Sequence, residues 1–324
     1  MKKISDYSAE AEMGLRALKL SEKEPASLYN PVDYALSSGG KRLRPGLVMM
    51  TAESFGGEKA LEASKTAAAG IEMFHNYTLL HDDVMDNSEM RRGHESVWRK
   101  WDQSTAILSG DTMLTLATQM VGDVPDDKLR KVLDTFNNMA LEVYEGQRLD
   151  LDFEKAEVIN SDIYIEMIRK KTGALLGAAA AIGAIIAGAS EKDVNAMTTF
   201  GNMLGIAFQI QDDWLDTYGD SSTFGKPIGG DILNDKKTFL LVKAMESEKG
   251  TVEALKVTMS ELKGEAKIKA VTRIYDKLNL NEVTRQAVSF YTKQALKALK
   301  GTSLSDELKE PYRLLLEKLT GRKK

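Results

Sequence analysis

Few stretches of this chain alternate apolar and polar residues with period two, whereas helix formers dominate and apolar positions group along helical faces. That texture predicts an all-α fold. Residues 5–20 read as an amphipathic helix, followed by the turn-rich connection SEKEPASLYNP. In SSGGKRLRPGLV, residues 37–48, a Gly pair and three cations precede an apolar helix that Pro45 can open as a first-turn residue. The pattern continues with long helices over 59–86, 99–121 and 126–150. Ser161 is placed to cap the next helix, which runs through Met167 to Gly173 into an Ala-rich stretch. A helix over 191–218 and further amphipathic helices from 238 to 320 complete the chain. No linker divides it, Pro occurs only 6 times, and the Gly residues cluster at motifs and helix ends. A large single-domain helical bundle over residues 1–324 is therefore expected.

Thr172 to Ala189, TGALLGAAAAIGAIIAGA, is nearly apolar throughout and close to the minimum length of a membrane span. Ala and Gly supply most of it, however, and charged residues bound it on both sides. The centre of a large bundle, where small side chains let helices approach closely, is the preferred reading.

Composition narrows the function. A net charge of −4 argues against nucleic acid as the main partner. Zero cysteines exclude disulfides and thiolate metal sites and fit a reducing compartment. The N-terminus, MKKISDYSAEAEMGL, lacks the apolar core of a signal peptide, so a cytoplasmic enzyme that is not a membrane protein is expected.

The chemistry concentrates in IEMFHNYTLLHDDVMDNSEMRRG, residues 71–93. Asp82 and Asp86 lie one helical turn apart on one face with Asp83 beside them, and Arg91 and Arg92 follow. Stacked carboxylates repel one another. A divalent cation relieves that cost, and hard oxygen ligands suit magnesium bound with a phosphate-bearing substrate. For one such cluster a solvated acidic helix end is the commoner explanation. The spacing recurs, though, in QIQDDWLD as Asp212, Asp213 and Asp216, again closing a largely apolar helix. Two clusters suggest two walls of one metal site built from facing helices. Lys41, Arg42 and Arg44 beside a Gly pair suit anion capture, although a surface basic loop is the better explanation of that stretch by itself. His81 beside the acids could suggest a His–Asp phosphohydrolase, but the chain holds only 3 histidines and that reading is rejected.

DDVMD followed by RRG, together with QDDWLD and the GK after it, resembles the trans-type isoprenyl diphosphate synthases, the family of farnesyl and geranylgeranyl diphosphate synthases. The resemblance implies a helical bundle around a central cavity and a magnesium-dependent prenyltransferase. It implies three magnesium ions held by Asp82, Asp83, Asp86, Asp212, Asp213 and Asp216. Isopentenyl diphosphate would lie against Lys41, Arg44, His75 and Arg92, with Arg42 structural. The allylic diphosphate would meet Arg91, Lys171, Lys226 and Lys236, with Thr172 near the forming cation and Gln209 on the helix of the second cluster. Asp82, Asp86, Arg91, Lys171, Thr172, Gln209, Asp212 and Lys226 are thus the expected catalytic set.

Gln147 and Asp150, in EGQRLDL, match a family motif bordering the site. Asp150 is expected to orient Arg91 or Lys171, a surface helix end being the plain alternative. After Arg92 the family often continues Pro-Thr and then His, where this chain has Glu95, Ser96 and Trp98, a departure expected to alter a loop. Tyr77, five residues before Asp82, would floor the product channel beside the small Thr78, giving C15 or C20 products, though Tyr77 is equally placed for ordinary core packing. A homodimer follows from the resemblance alone. Longer-chain synthases, terpene cyclases and non-catalytic regulatory subunits are the alternatives. The intact second cluster and GGKRLRP count against a cyclase, and the full set of acids and cations counts against a non-catalytic subunit. The basic tail Arg322-Lys323-Lys324 is expected to fray.

Overall fold

A computed structural model describes residues 3–156, 160–219 and 228–321. Among these the chain is helical apart from connections and one two-stranded hairpin, so the all-α expectation holds. The helices divide between two compact units, Met1–Asn138 with Ala178–Thr198 and Thr302–Pro311, and Met139–Gly177 with Thr199–Gly301 and Tyr312–Lys324.

In the first unit, helices α1 (Ile4–Arg16), α2 (Ala26–Ser37) and α5 (Gln103–Val121) gather on the long helix α3 (Leu43–Met85). The backbone of α3 leaves the helical region at Gly57 (φ 66°, ψ −161°), so the long helix expected over 59–86 is its second stretch. Leu47, Met49, Leu61, Ile71 and Phe74 on α3 are all fully buried. The helix expected over 99–121 is broken, with the short α4 (Val97–Lys100) ending before Asp102 caps α5 by accepting from the Thr105 N–H at 2.7 Å. The hairpin pairs β1 (Met90–Arg91) with β2 (His94–Glu95), in register Arg91 opposite His94.

The Ala-rich stretch forms α8 (Ala174–Ile186), and Ala179 and Ala180 are fully buried. Its small residues are required by how closely α3 approaches: a Cβ on Gly183 would lie 2.3 Å from the Val48 carbonyl oxygen. Among the described residues, no helix is long and apolar enough to cross a membrane.

The second unit draws on α6 (Asp126–Lys155), α7 (Ser161–Ile168), a π turn over Arg169–Gly173, α8 and α9 (Glu191–Tyr218). It continues through α10 (Gly230–Leu233), α11 (Phe239–Met245), α12 (Lys249–Glu261), α13 (Gly264–Lys277), α14 (Leu280–Lys300) and α15 (Asp306–Thr320). One core gathers Tyr164, Met167, Ile206, Ile210, Phe239 and Val288. A second gathers Ile232, Leu241, Leu255, Val271 and Tyr275.

Two local expectations are corrected. Asn160, not Ser161, caps α7, because its side chain accepts from the Ile163 N–H at 2.9 Å. Ser161 is instead tied to Glu246, whose carboxylate accepts from its N–H and its hydroxyl, each at 2.6 Å. The helix after it is also not regular through Gly173, since the π turn intervenes before α8 resumes.

Candidate active site

In the first unit, the end of α3 delivers the first aspartate cluster, with Asp82 half-buried, Asp83 buried and Asp86 exposed. The hairpin brings Arg91 back onto it. Arg91 Nε donates to Asp83 Oδ1 at 2.9 Å and Nη2 donates to the same oxygen at 2.5 Å, while Asp82 Oδ2 stands 3.8 Å away. Burial pushes the Asp83 carboxyl up from its ordinary value, and Arg91 opposes that push. Asp83 is therefore engaged by protein, and Asp82 and Asp86 are the members of the triplet that share a helical face.

Arg92 lies beyond the strand at φ 52° and reaches the glycine pair. It donates to the Gly39 carbonyl, and its guanidinium lies so flat on Gly40 that a Cβ there would sit 3.0 Å from it. Thus the GGKRLRP and RRG segments, far apart in sequence, meet. Arg42 is only 4% exposed at its side chain and fully engaged, donating to Glu12 and Glu72 at 2.7 Å each and to the Leu36 carbonyl. Its role is structural.

Arg44 has a different environment. One of its Nη groups donates to His75 Nε2 at 3.1 Å, and its buried Nε has no protein partner. Burial pulls the Arg44 guanidinium down from its ordinary value and Arg92 adds to the pull, with Glu72 opposing. His75 is held well below the usual histidine value by burial and then by Arg44, Arg92, Arg42 and Arg91. An orphaned guanidinium N–H among like charges is a site suited to an anion. Lys41 is exposed at the start of the same stretch.

Tyr77 is buried, 8% exposed, its ring 5.5 Å from Phe74 and edge-on to His81 at 4.8 Å, and Phe74 in turn stacks edge-on with Phe136. The Thr78 hydroxyl donates to the His75 carbonyl at 2.8 Å. His81 Nε2 lies 3.1 Å from the Ile107 carbonyl.

In the second unit, Asp213 is buried and accepts three hydrogen bonds. Phe239 N–H donates at 2.9 Å and Gln209 Nε2 at 3.1 Å, and the Tyr164 hydroxyl completes the set. Burial pushes the Asp213 carboxyl up to about 6, Lys236 opposing. Gln209 also accepts from the Thr172 hydroxyl at 3.3 Å, so Thr172, Gln209, Asp213 and Tyr164 form one chain of hydrogen bonds. Asp212 is half-buried, and Asp216 Oδ2 accepts from the Asp231 N–H at 2.9 Å.

The π turn carries Lys171, which donates to Asp150 Oδ2 at 2.6 Å. Of the two cations considered for Asp150, it is thus Lys171 that Asp150 orients. Helix α6 lies against this turn at Gly146, where a Cβ would be 2.4 Å from the Lys171 nitrogen. Next to it Gln147 Nε2 is buried without a partner. Lys236 Nζ lies 3.7 Å from Asp231 Oδ1. Lys226 and the Arg322-Lys323-Lys324 tail lie outside the described residues.

Among the described residues, no three His, Cys, Asp or Glu side chains stand close enough to hold a metal ion by themselves. In each triplet the middle aspartate is fastened to protein, and the first and last lie one helical turn apart on the same face.

Three contributors went unnoticed in the sequence: Glu72, Tyr164 and Gly146. Each has a signal. Glu72 is an acid inside an apolar helix, Tyr164 lies in an apolar run, and Gly146 interrupts a helical pattern, which is costly unless backbone must come close.

The sequence matches the model of the polyprenyl synthetase family over residues 25–278. It is 37% identical over 245 residues to a geranylgeranyl diphosphate synthase of Methanosarcina mazei, covering 75% of each chain. Identity to a short chain isoprenyl diphosphate synthase of Methanothermobacter thermautotrophicus is 34% over 309 residues, covering 94% of this chain and 93% of the other. The fold superposes on a crystal structure of the geranylgeranyl pyrophosphate synthetase from Pyrococcus horikoshii with a TM-score of 0.91 at 32% identity, covering 99% and 97% of the two chains. With its motifs, its all-helical fold and this match, the chain belongs to the polyprenyl synthetase family of prenyltransferases.

Proposed function

We propose that the protein condenses isopentenyl diphosphate with an allylic diphosphate (dimethylallyl, geranyl or farnesyl) in 1′-4 head-to-tail fashion, giving C15–C20 products. The observation that carries the reading is the cluster of Arg44, His75 and Arg92 beside Gly39 and Gly40, with the buried Arg44 Nε lacking a protein partner. A terpene cyclase needs one diphosphate site. This cluster supports a second, for isopentenyl diphosphate, with the exposed Lys41 close by in sequence.

Asp82, Asp86, Asp212 and Asp216 would hold magnesium together with the allylic diphosphate, and the metal would neutralise the charge that builds on the departing pyrophosphate. Asp83 and Asp213 act one step back, since Asp83 aims Arg91 and Asp213 fixes Gln209. Arg91, Lys171, Lys226 and Lys236 add positive charge at the leaving group. The C1′–O bond breaks with its electron pair leaving on pyrophosphate, and Thr172 and Gln209 face the allylic cation. Attack by the isopentenyl double bond forms the C1′–C4 bond, and the proton then lost from C2 passes to pyrophosphate. No protein nucleophile is consumed. The side chains' work is to hold two diphosphates in register and keep water from the cation.

Tyr77, packed on Phe74 and His81, supports a closed channel floor and a short product, with Thr78 too small to narrow it further. A homodimer, three magnesium ions, one catalytic domain and a cytoplasmic location complete the proposal.

Labelled isopentenyl diphosphate, each allylic starter and magnesium should give acid-labile prenyl product that a chelator abolishes. Chromatography of the dephosphorylated chains reads their length. Failure to incorporate label from any starter would point to a non-catalytic subunit, and a cyclic hydrocarbon made without isopentenyl diphosphate would point to a cyclase.

A further inference from the structure

Lys267, on α13, is a buried lysine that none of the motifs includes. Its side chain is 6% exposed. The ammonium donates to Asp235 Oδ1 at 2.7 Å and to the Leu233 carbonyl at 3.4 Å. Burying an ammonium is costly, and an apolar side chain of similar volume at such a position is often neutral or stabilising. What the charge secures here is the geometry of one short segment.

That segment is Gly229–Lys236, and every turn of it is fastened. Asp235, beside Lys236, adopts a left-handed conformation (φ 52°) that a non-glycine residue holds only when its surroundings fix it. The Lys236 N–H donates to the Asp231 carbonyl at 3.0 Å, and its ammonium lies 3.7 Å from the Asp231 carboxylate. Asp231 N–H donates to Asp216 Oδ2 at 2.9 Å, and Gly229 N–H to the Asp216 carbonyl at 2.6 Å. From below, the side chain of Ile268, next to Lys267, lies so close that a Cβ on Gly229 would sit 2.6 Å from it. A continuous line of contacts therefore runs from Lys267 through Asp235 to Lys236 and Asp231, and on to Asp216.

We infer that Lys267 is a positioning residue for the allylic diphosphate: through Asp235 it holds the Gly229–Lys236 segment so that Lys236 and Asp216 are set together before substrate arrives. This rests on the proposed roles of Lys236 and Asp216. Asp235 itself is 53% exposed, so losing its partner leaves a carboxylate that water can solvate. Lys267→Met should accordingly keep the fold while releasing the segment.

The test is steady-state kinetics with each substrate varied in turn, for Lys267→Met, Lys267→Arg, Asp235→Asn, Lys236→Gln and the double variant Lys267→Met/Lys236→Gln, each with its melting temperature. Lys267→Met and Asp235→Asn should raise the allylic KM or lower kcat by about tenfold or more, the usual effect of losing a partner that orients a site residue. The isopentenyl diphosphate KM should stay within about twofold of wild type, Lys267→Arg should restore part of the loss, and the double variant should be little worse than Lys236→Gln. If Lys236→Gln impairs allylic kinetics but Lys267→Met and Asp235→Asn do not, the inference is overturned and the underlying reading stands. An unimpaired Lys236→Gln enzyme overturns both. An equal rise in KM for the two substrates marks a merely structural lysine and overturns the inference. Should Lys267→Met fail to fold, the surface change Asp235→Asn decides by the same criterion.

Discussion

The Arg44 guanidinium donates to Nε2 of His75 at 3.1 Å. Because a guanidinium has no acceptor, Nε2 must carry the lone pair and Nδ1 the proton. His75 is thus a neutral histidine fixed in one tautomer within a ring of arginines, with Glu72 the acid that most offsets the charge on Arg44 and Arg92.

A pH dependence follows. The folded protein holds His75 well below the usual histidine value through burial and through Arg44, Arg92, Arg42 and Arg91, whereas the unfolded chain takes up its proton near pH 6.5. Below that pH the unfolded state binds more protons, so the stability contributed by neutral His75 is complete above about pH 6.5 and lost as the pH falls, at up to about 1.4 kcal/mol per pH unit. Urea unfolding at pH 7.5 and 5.5 should show a smaller loss for His75→Gln than for wild type. Equal losses would mean that His75 takes a proton in the folded state.

The three aspartates around Arg91 should separate in kinetics. Asp82→Ala or Asp86→Ala should lower kcat by about 10²–10³-fold and raise the magnesium requirement, as removal of groups acting on the transition-state charge does. Asp83→Asn should cost about 10–100-fold with little change in the magnesium requirement, because it disturbs the aim of Arg91. Magnesium titrations of the three variants check the order.

Tyr164→Phe removes one hydroxyl from a buried carboxylate. Asp213 keeps the Phe239 N–H and Gln209, so the variant should fold, losing about 1–3 kcal/mol by chemical denaturation. Activity should fall about tenfold or more, since Gln209 and Thr172 hang on the same chain of hydrogen bonds.

Tyr77→Ala should lengthen the product, whereas Tyr77→Phe, which keeps the ring against Phe74 and His81, should leave it unchanged. Deleting the buried ring should also cost about 3–5 kcal/mol of stability, so product length is best read well below the lowered melting temperature. Unchanged product length in Tyr77→Ala removes Tyr77 from this role.

How much was legible in the sequence depended on the range of the interaction. The long helices were, because a buried face imposes its period locally: α9 spans Glu191–Tyr218, the same range the pattern predicts. Caps and breaks were less so. Asn160 and Ser161 are both good capping residues, and only the Glu246 carboxylate, remote in sequence, decides which one caps α7. The π turn at Arg169–Gly173 likewise answers to a neighbour, the close backbone of α6 at Gly146, which no local pattern reports. In the site, residue types at motif spacing located the acids and cations. How Asp83 and Asp213 are held depended on Arg91, Tyr164 and Phe239, partners that only the folded chain brings near.

Helix α1 contains none of the motif residues and precedes residue 25, where the family match begins. Yet Glu12 on it grips Arg42, the residue between Lys41 and the Leu43-Arg44 start of α3. A shortened chain lacking this helix would keep every motif residue while letting go of the knot from which Arg44, proposed to meet isopentenyl diphosphate, is strung. It would also strip Tyr7, Ala11 and Leu15 from the core against α3, so the long helix itself, and not one guanidinium alone, leans on this end of the chain.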